Sequence, residues 1–424
     1  MQSEGPHDRS EHPVRGRLYG GLVASAHLAN DAITSMLPVL LPGFAGRFQL
    51  TPSELAALAG GFAVSTSLPQ PFFGSLADRF GGHRIGALGL AVSGLLIASL
   101  GFVSSLAWLC VLLLLGGLGS SALHPAGLGL ARAASDRNPG LGVALFNAAG
   151  MAGGAAGPLL VGILTAALGS NGGAWAAVPV LAIALLLFRF APRTPVAAPV
   201  DRVSPRTTLQ SLRGPLGPLV LVAVCANLVT LTFASAAPVW LVVERGIEAD
   251  SPIIGWTLAT FWGGAAVGGI WGASLGRWLA PRSVVVGSLA LSLLPLQGVL
   301  VSRPGSVSYL IAVVAAGALL FAHTPLVMTR AQESAPGSNS AVAGVLLGGT
   351  TAVAAVIYAG LGVAQAAIGL GGTIAATFFV VLPAAGIAAW ALAPAPRAPL
   401  RTFHTRPAAL TVRPRVLLWS SCAC

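Results

Sequence analysis

Residues 74–84 read GSLADRFGGHR, and residues 272–282 read GASLGRWLAPR. At an offset of 198 residues (272 − 74), the first glycine and both arginines of one stretch meet the same residue types in the other. The same offset places Arg132 on Arg330. Two matches at one offset indicate that the chain is built from two similar halves.

Long apolar segments surround both stretches. The chain has 424 residues, of which 55% are hydrophobic and only 8% are charged. Soluble domains carry about 25% charged residues, and about 20 apolar residues cross a hydrocarbon core of about 30 Å as a helix. The sequence therefore predicts an all-α membrane protein with twelve transmembrane helices. The predicted spans are 18–42, 53–74, 84–103, 106–131, 140–168, 173–191, 215–243, 253–275, 283–302, 306–329, 340–368 and 372–393.

The repeat divides these spans into two pseudo-symmetric six-helix halves. The predicted organisation is a cytoplasmic N-terminus at 1–17, a first half at 18–191, a cytoplasmic linker at 192–214, a second half at 215–393 and a tail at 394–424. The tail is basic and contains no acidic residue. Such a composition is typical of disordered segments.

The net charge of +11 follows the membrane topology. All 23 basic residues are arginine. When the twelve spans are folded with both termini on one side, 20 of the arginines fall on that side and 3 on the other. The positive-inside rule assigns the crowded side to the cytoplasm. We therefore predict a multi-pass membrane protein with both termini cytoplasmic and without a nucleic-acid partner.

The stretch GSLADRFGGHR resembles the signature G-x-L-A-D-R-x-G-x-[RK]-[RK] between the second and third helices of the major facilitator superfamily. HLANDAITSMLPVLLPGF, GLGSSALHPAGLGLARAAS and TRAQESAPG resemble the fosmidomycin resistance protein-like branch of that superfamily. The resemblance covers residues 18–393. It implies the major facilitator fold, a substrate site between the halves and proton-driven export of a toxic compound across a bacterial inner membrane.

One acidic residue, Asp31, lies inside the first apolar span. A carboxylate at the centre of a bilayer costs about 2.5–3.5 kcal/mol on insertion scales, so it is expected to face a cavity or a partner. Removal from water favours the protonated form of a carboxyl group. His27 lies one helical turn earlier, on the same face. We predict that Asp31 and His27 couple transport to protons; the alternative is that Asn30 and Asp31 only join the first helix to a neighbour.

Other polar residues within the spans are candidates for the substrate cavity. They are Asn30, His124, Asn147 and His323. His124 precedes Pro125, and His323 lies two residues before Pro325. Each proline removes a backbone donor and loosens its helix. The alternative for both histidines is a hydrogen bond between helices without a role in transport.

The connecting segments on the cytoplasmic side contain candidates for a gate. They are Asp78, Arg79, Arg84, Arg132, Arg330 and Glu333. Asp78, Arg79 and Arg84 are expected in the loop between the second and third spans. A carboxylate is stabilised near a helix N-terminus by the helix dipole, and a cluster of Asp and Arg that links helix ends would hold the cytoplasmic face closed. Glu333 is expected to pair with Arg330 or Arg132. The alternative is a solvated loop whose arginines only reflect the charge asymmetry.

The fifth span contains FNAAGMAGGAAGPLLVG at residues 146–162. Gly153, Gly157 and Pro158 resemble the antiporter motif G-x-x-x-G-P of the superfamily, which is associated with export. Small residues at this spacing also allow helices to pack closely. The packing alternative stays open at this point.

Together these features predict a proton-coupled antiporter that exports a small toxic compound, with a fosmidomycin-like antibiotic as one candidate. The alternatives are a proton symporter that imports a small organic acid and a non-transporting membrane receptor or scaffold. The sequence contains no recognisable nucleotide-binding loop, metal cluster or nucleophile–base pair. We therefore predict no enzyme activity, no metal and no cofactor besides the proton gradient, and we expect a functional monomer.

Overall fold

The computed structural model of the chain describes residues 11–134, 139–169, 171–191, 212–334 and 339–393. The first ten residues, the linker at 192–211 and the tail from 394 onwards lie outside the described residues. Within the described ranges the chain forms helices and connecting turns, without a β-strand.

The first half of the described chain is a series of helices joined by short turns. They are α1 (Glu11–Thr34), α2 (Met36–Phe48), α3 (Pro52–Ser67), α4 (Gln70–Phe80), α5 (Gly82–Ala98), α6 (Leu106–Ala133), α7 (Pro139–Leu168) and α8 (Ala177–Phe190). The helices of the second half follow in the same manner. They are α9 (Leu216–Val243), α10 (Pro252–Leu275), α11 (Pro281–Val301), α12 (Val307–Phe321), α13 (Thr324–Ser334), α14 (Asn339–Gly344), α15 (Thr350–Ile368), α16 (Leu370–Phe378) and α17 (Val381–Ala391).

Eleven helical segments among the described residues are long and apolar enough to cross a membrane. The predicted second span is divided into α3 and α4 at Leu68 and Pro69. Proline lacks a backbone donor, and its ring clashes with the preceding turn, which accounts for this break. The predicted all-α membrane fold is therefore confirmed, with eleven spans that meet the length criterion and one divided span.

The two prolines beside the candidate histidines have different effects. In the fourth span, α6 continues through Pro125 as one helix. In the tenth span, α12 ends at Phe321 and α13 begins at Thr324, so His323 lies at a break. The predicted local weakening is therefore visible as a helix break only in the second half.

The two halves contact each other through small residues. Helix α3 of the first half packs against α15 of the second, and α7 packs against α10. Ser53 Oγ donates a hydrogen bond to the carbonyl oxygen of Gly362 over 2.9 Å. A Cβ atom on Gly60 would lie 2.8 Å from the carbonyl oxygen of Ala355. The halves approach closely here because the glycine has no side chain.

Two charged residues at the end of α9 cap neighbouring helices in the second half. Glu244 Oε1 accepts hydrogen bonds from the backbone N–H groups of Leu370 (2.7 Å) and Gly371 (3.1 Å), at the start of α16. Arg245 donates to the carbonyl oxygens of Leu300 (2.7 Å) and Ser302 (2.9 Å), at the end of α11. Each charge opposes the dipole of the helix end that it contacts. The pair thereby ties α9 to α11 and α16.

Replacement of Glu244 by glutamine should lower the melting temperature of the purified protein in detergent. The amide keeps the shape of the side chain but loses the charge that stabilises the start of α16, at a cost of about 1 kcal/mol. Glu248→Gln, in the exposed loop that follows, is the control and should melt like the original protein. Equal melting temperatures for the two variants would contradict the capping role.

Candidate functional site

The end of α1 presents three polar side chains to the interior of the first half. His27, Asn30 and Asp31 precede the break at Ser35, where α1 gives way to α2. His27 and Asn30 are buried. The side chain of Asp31 keeps 26% of its surface exposed. The carboxylate is therefore enclosed by protein but not sealed from the space around it.

Two histidines face the carboxylate of Asp31. His27 Nε2 lies 3.3 Å from Oδ2, and His124 Nε2, on α6, lies 3.6 Å from Oδ1. The two imidazole rings meet edge to face, with their centroids 5.0 Å apart. The structure thus brings a predicted cavity residue, His124, to the predicted coupling pair. We refer to Asp31, His27 and His124 as the acid–histidine cluster.

Backbone carbonyl groups determine which nitrogen of each ring carries a proton. His27 Nδ1 donates to the carbonyl oxygen of Phe146 over 2.7 Å, and His124 Nδ1 donates to that of Ser120 over 2.8 Å. A carbonyl oxygen only accepts hydrogen bonds, so Nδ1 is the protonated nitrogen in both neutral rings. Both Nε2 atoms are therefore free to gain a proton beside the carboxylate.

Asn30 supports the cluster from the side. Its Nδ2 donates to Asp31 Oδ1 over 2.9 Å and to Ser120 Oγ over 2.9 Å. The side chain thereby joins α1 to α6, as the structural alternative for this residue proposed. It also holds one carboxylate oxygen of Asp31 in place while the other faces His27. Both functions are compatible with a site that exchanges protons.

The same three residues are close enough to hold a metal ion, since one ligand atom from each lies within 4.8 Å of the others. The sequence analysis expected no metal, and this stays a prediction. A proton shared between carboxylate and imidazole uses the same atoms and needs no further ligand.

Glycines on α7 allow this helix to pack directly on α1 beside the cluster. A Cβ atom on Gly150 would lie 2.8 Å from Asp31 Oδ2. Cβ atoms on Gly153 and Gly157 would overlap the backbone of α1. The packing alternative therefore accounts for both glycines of the predicted motif. Their association with export stays a prediction.

Pro158, the last residue of that motif, faces the second half of the molecule. A Cβ atom on Gly255, in α10, would lie 3.0 Å from the carbonyl oxygen of Pro158. Gly154 lies beside the ring of Trp262, also in α10. Helix α7 thus contacts the cluster on one face and the other half on another.

Two predicted cavity residues lie apart from the cluster. Asn147 is exposed on α7. His323 is buried at the break in the tenth span, where its Nδ1 donates to the carbonyl oxygen of Leu320 over 2.6 Å. Neither residue forms a hydrogen bond or an ion pair with the cluster in the described part of the chain. His323 instead lines a pocket of the second half.

The expected position of Asp78 in the loop between the second and third spans is corrected by the structure, which places this residue within a helix. Asp78 lies in the last turn of α4, because the helix that restarts after Pro69 extends to Phe80. Asp78, Arg79 and Arg84 are exposed, and Asp78 forms no ion pair among the described residues. The predicted gate is therefore not assembled by an Asp78 ion pair in this structure, and its role stays a prediction.

The other predicted gate residues lie at the ends of α6 and α13. Arg132 is exposed in the last turn of α6. Arg330 Nη1 lies 3.0 Å from Glu333 Oε2, so Glu333 pairs with the first of its two expected partners. Both side chains are exposed and belong to one helix. Such a pair contributes about 0.5 kcal/mol or less, and it does not join the two halves.

The carbonyl oxygens of Phe146 and Ser120 orient the two histidines. Neither residue was predicted from the sequence to belong to the site. Every residue has a backbone carbonyl group, so no residue type could have identified Phe146. Ser120 had a signal, because it lies one helical turn before His124. It is also a polar residue in an apolar span.

The family model described as Major Facilitator Superfamily matches residues 23–359. Fosmidomycin resistance protein of Escherichia coli (strain K12) is 25% identical over 342 residues, which cover 77% of this chain and 81% of that protein.

Solved structures are similar in fold. One is a bacterial homolog of the human lysosomal transporter Spinster in an inward-facing, unoccupied conformation, with a TM-score of 0.69 and 14% identity over 89% of this chain and 97% of that chain. Another is a mutant of the nucleoside transporter NupG, with a TM-score of 0.67 and 13% identity over 88% of this chain and 98% of that chain. At these identities the similarity shows the fold alone.

Proposed function

The chain belongs to the Major Facilitator Superfamily, and we propose that it is a proton-coupled antiporter that exports a small toxic compound by alternating access. Family membership confirms the resemblance seen in the sequence and makes the protein a membrane-embedded transporter without enzyme activity. The direction of transport, the coupling to protons and the substrate are the substance of the proposal.

The acid–histidine cluster is the observation that carries the proposal. An ionised carboxylate is costly to enclose away from water. Asp31 can be neutralised by a proton, and the adjacent Nε2 atoms of His27 and His124 offer two further protonation positions. The halves should therefore close more readily around a site whose charge is compensated. A proton compensates it in one direction of the cycle, and hydrogen-bond donors of the substrate do so in the other.

The direction of transport is supported by the relative from Escherichia coli. That protein is named for resistance to fosmidomycin, and resistance by a transporter requires removal of the compound from the cell. A fosmidomycin-like antibiotic is therefore a candidate substrate. The receptor or scaffold alternative is disfavoured because the chain belongs to a family of transporters.

Import of an organic acid with protons is the second candidate. An anion would bind beside Asp31 only when the histidines are protonated. When both histidines are neutral, the carboxylate of Asp31 gives the cluster a net negative charge. Substrate and proton would then bind together and move in the same direction. The same cluster thus supports symport if the anionic group of the substrate binds beside Asp31.

The proposal includes a location. We place the protein in the inner membrane of a bacterium with both termini cytoplasmic, because that arrangement puts 20 of the 23 arginines on the cytoplasmic side. In this fold the substrate site lies between the two halves of one chain, so a monomer is sufficient for transport.

Vesicles with opposite pH gradients distinguish the two candidates. Purified protein is reconstituted into liposomes, and fosmidomycin uptake is measured with either an acidic interior or an acidic exterior. Antiport with one proton exchanged per substrate predicts accumulation of up to about tenfold for a gradient of one pH unit, only when the interior is acidic. Symport predicts accumulation only when the exterior is acidic. Accumulation that persists after a protonophore collapses the gradient would contradict proton coupling.

A further inference from the structure

The second half contains an open pocket of about 130 Å³ beside His323. Its polar lining comes from Asn227 and Thr230 of α9, Thr324 of α13 and Thr351 of α15. Apolar side chains complete the wall, and the described lining includes no arginine, aspartate or glutamate. The pocket is therefore mostly apolar, with a few polar groups and without a fixed charge.

This pocket is the counterpart of the acid–histidine cluster in the other half. Asn227 lies on the first span of its half, as Asn30 does, at an offset of 197 (227 − 30). His323 lies on the fourth span, as His124 does, at an offset of 199 (323 − 124). Both offsets are within one residue of the repeat. Asn227 is followed by buried Leu228, where the first half has its acid.

Hydrogen bonds fix the orientation of the Asn227 amide. The hydroxyl groups of Thr350 and Thr351 donate to the carbonyl oxygens of Leu346 (2.5 Å) and Leu347 (2.7 Å). Their oxygens can therefore only accept from Asn227 Nδ2, at 2.8 and 3.3 Å. The amide oxygen of Asn227 is an acceptor that has no hydrogen-bond partner among the described residues.

The neighbouring polar groups of Thr230 and His323 already donate their hydrogens to backbone carbonyl groups. The Thr230 hydroxyl donates to the carbonyl oxygen of Ala226 over 2.9 Å. His323 Nδ1 donates to the carbonyl oxygen of Leu320 over 2.6 Å, which leaves Nε2 of the neutral ring as an acceptor. The pocket consequently presents lone pairs from an amide, a hydroxyl and an imidazole.

We infer that this pocket is a substrate subsite for an uncharged N–H or O–H group carried on a small apolar body. The inference rests on the proposed function and specifies the chemical class of the substrate. A donor group would satisfy lone pairs that are otherwise unpaired when the pocket closes. A carboxylate or phosphonate would bring further lone pairs to a wall in which Thr324 alone, among the described hydroxyls, keeps an uncommitted hydrogen.

Two fragments of matched shape test the inference. Aniline carries N–H donors, whereas toluene has nearly the same size and shape without a donor. Their binding to the purified full-length protein in detergent is titrated by saturation-transfer NMR. Aniline should bind about fivefold more tightly, as one additional hydrogen bond predicts. Equal affinity, or the absence of binding by both fragments, would overturn the inference.

Variants assign the preference to the pocket. Asn227→Leu and Thr230→Val should each reduce the preference for aniline at least twofold. Thr230→Val nearly preserves the size of the side chain, so it tests the pocket even if Asn227→Leu folds poorly. Thr165→Val is the control, because Thr165 makes the same type of bond to its own helix, to Val161 over 2.8 Å, on α7. An undiminished preference in Thr230→Val would overturn the assignment, as would an equal loss in Thr165→Val.

A further variant separates this inference from proton coupling. Asp31→Asn should retain the preference for aniline, because Asp31 does not line the pocket. Suppose that Asn227→Leu or Thr230→Val loses the preference for aniline while the original protein shows no gradient-driven accumulation in vesicles. That combination would support the subsite and overturn only the proton coupling. Gradient-driven transport by a protein that binds neither fragment would overturn the subsite and leave the proton coupling in place.

Discussion

Asp31→Asn is expected to abolish gradient-driven accumulation of substrate in reconstituted vesicles, with a loss of about 100-fold or more. Removal of a proton-transferring side chain costs about 10²–10⁴-fold in rate where the proton step is essential. Asparagine has the shape of the protonated carboxyl group but cannot release a proton. The cluster would therefore lose its anion, and both histidines would lose the negative charge that favours their protonation.

Exchange of substrate across the membrane should survive in this variant. Exchange requires the halves to reorient around bound substrate but requires no net movement of protons. Labelled substrate inside the vesicles should therefore still exchange with unlabelled substrate outside. Asp250→Asn, the same chemical change in an exposed loop, is the control and should keep both activities. Gradient-driven accumulation by Asp31→Asn at the level of the control would refute the role of the carboxylate.

Gly153→Val is expected to cause the largest loss of folded protein. A Cβ atom at this position would overlap the carbonyl oxygen of Leu28, so α7 and α1 would have to separate. Overpacking usually costs about 1–3 kcal/mol, and we expect the upper end of that range because backbone rather than a flexible side chain blocks the space. The measurements are the melting temperature in detergent and the yield from membranes.

Gly162→Val provides a matched control on the same helix. A Cβ atom on Gly162 would have no atom within 4 Å, so the added side chain meets open space. Both substitutions introduce the same β-branched residue into α7, which equalises the effect on helix propensity. A melting temperature for Gly153→Val as high as that of Gly162→Val would show that contact between α1 and α7 tolerates a side chain.

Much of the fold could be predicted because a membrane span is a local property. A continuous apolar segment of sufficient length predicts a helix without knowledge of its neighbours. The effect of a proline is less local. Pro69 divides a span, whereas Pro125 lies within an unbroken helix. The predicted end of the second span at residue 74 was too early, and this misplaced Asp78 relative to the helix ends.

The proximity of the site residues could be predicted from the sequence only for residues on one helix. His27 and Asp31 are one turn apart, so their proximity followed from helical geometry. The approach of His124 required the packing of α6 on α1, which depends on tertiary contacts. Sequence therefore yielded the functional groups, but not the cluster they form or the tautomers of its rings.

The carbonyl oxygens behind His27 and His124 have one more consequence for a transporter. A proton that reaches Nε2 of either ring cannot continue through the imidazole, because Nδ1 faces a carbonyl oxygen that does not accept a full proton charge. Each ring can therefore take up and release a proton at Nε2, but it cannot pass the proton on through Nδ1. A proton that enters has to leave by the side from which it came, after that side has been turned to the opposite compartment. In the proposed antiporter, this arrangement would prevent protons from leaking through the protein in the absence of substrate.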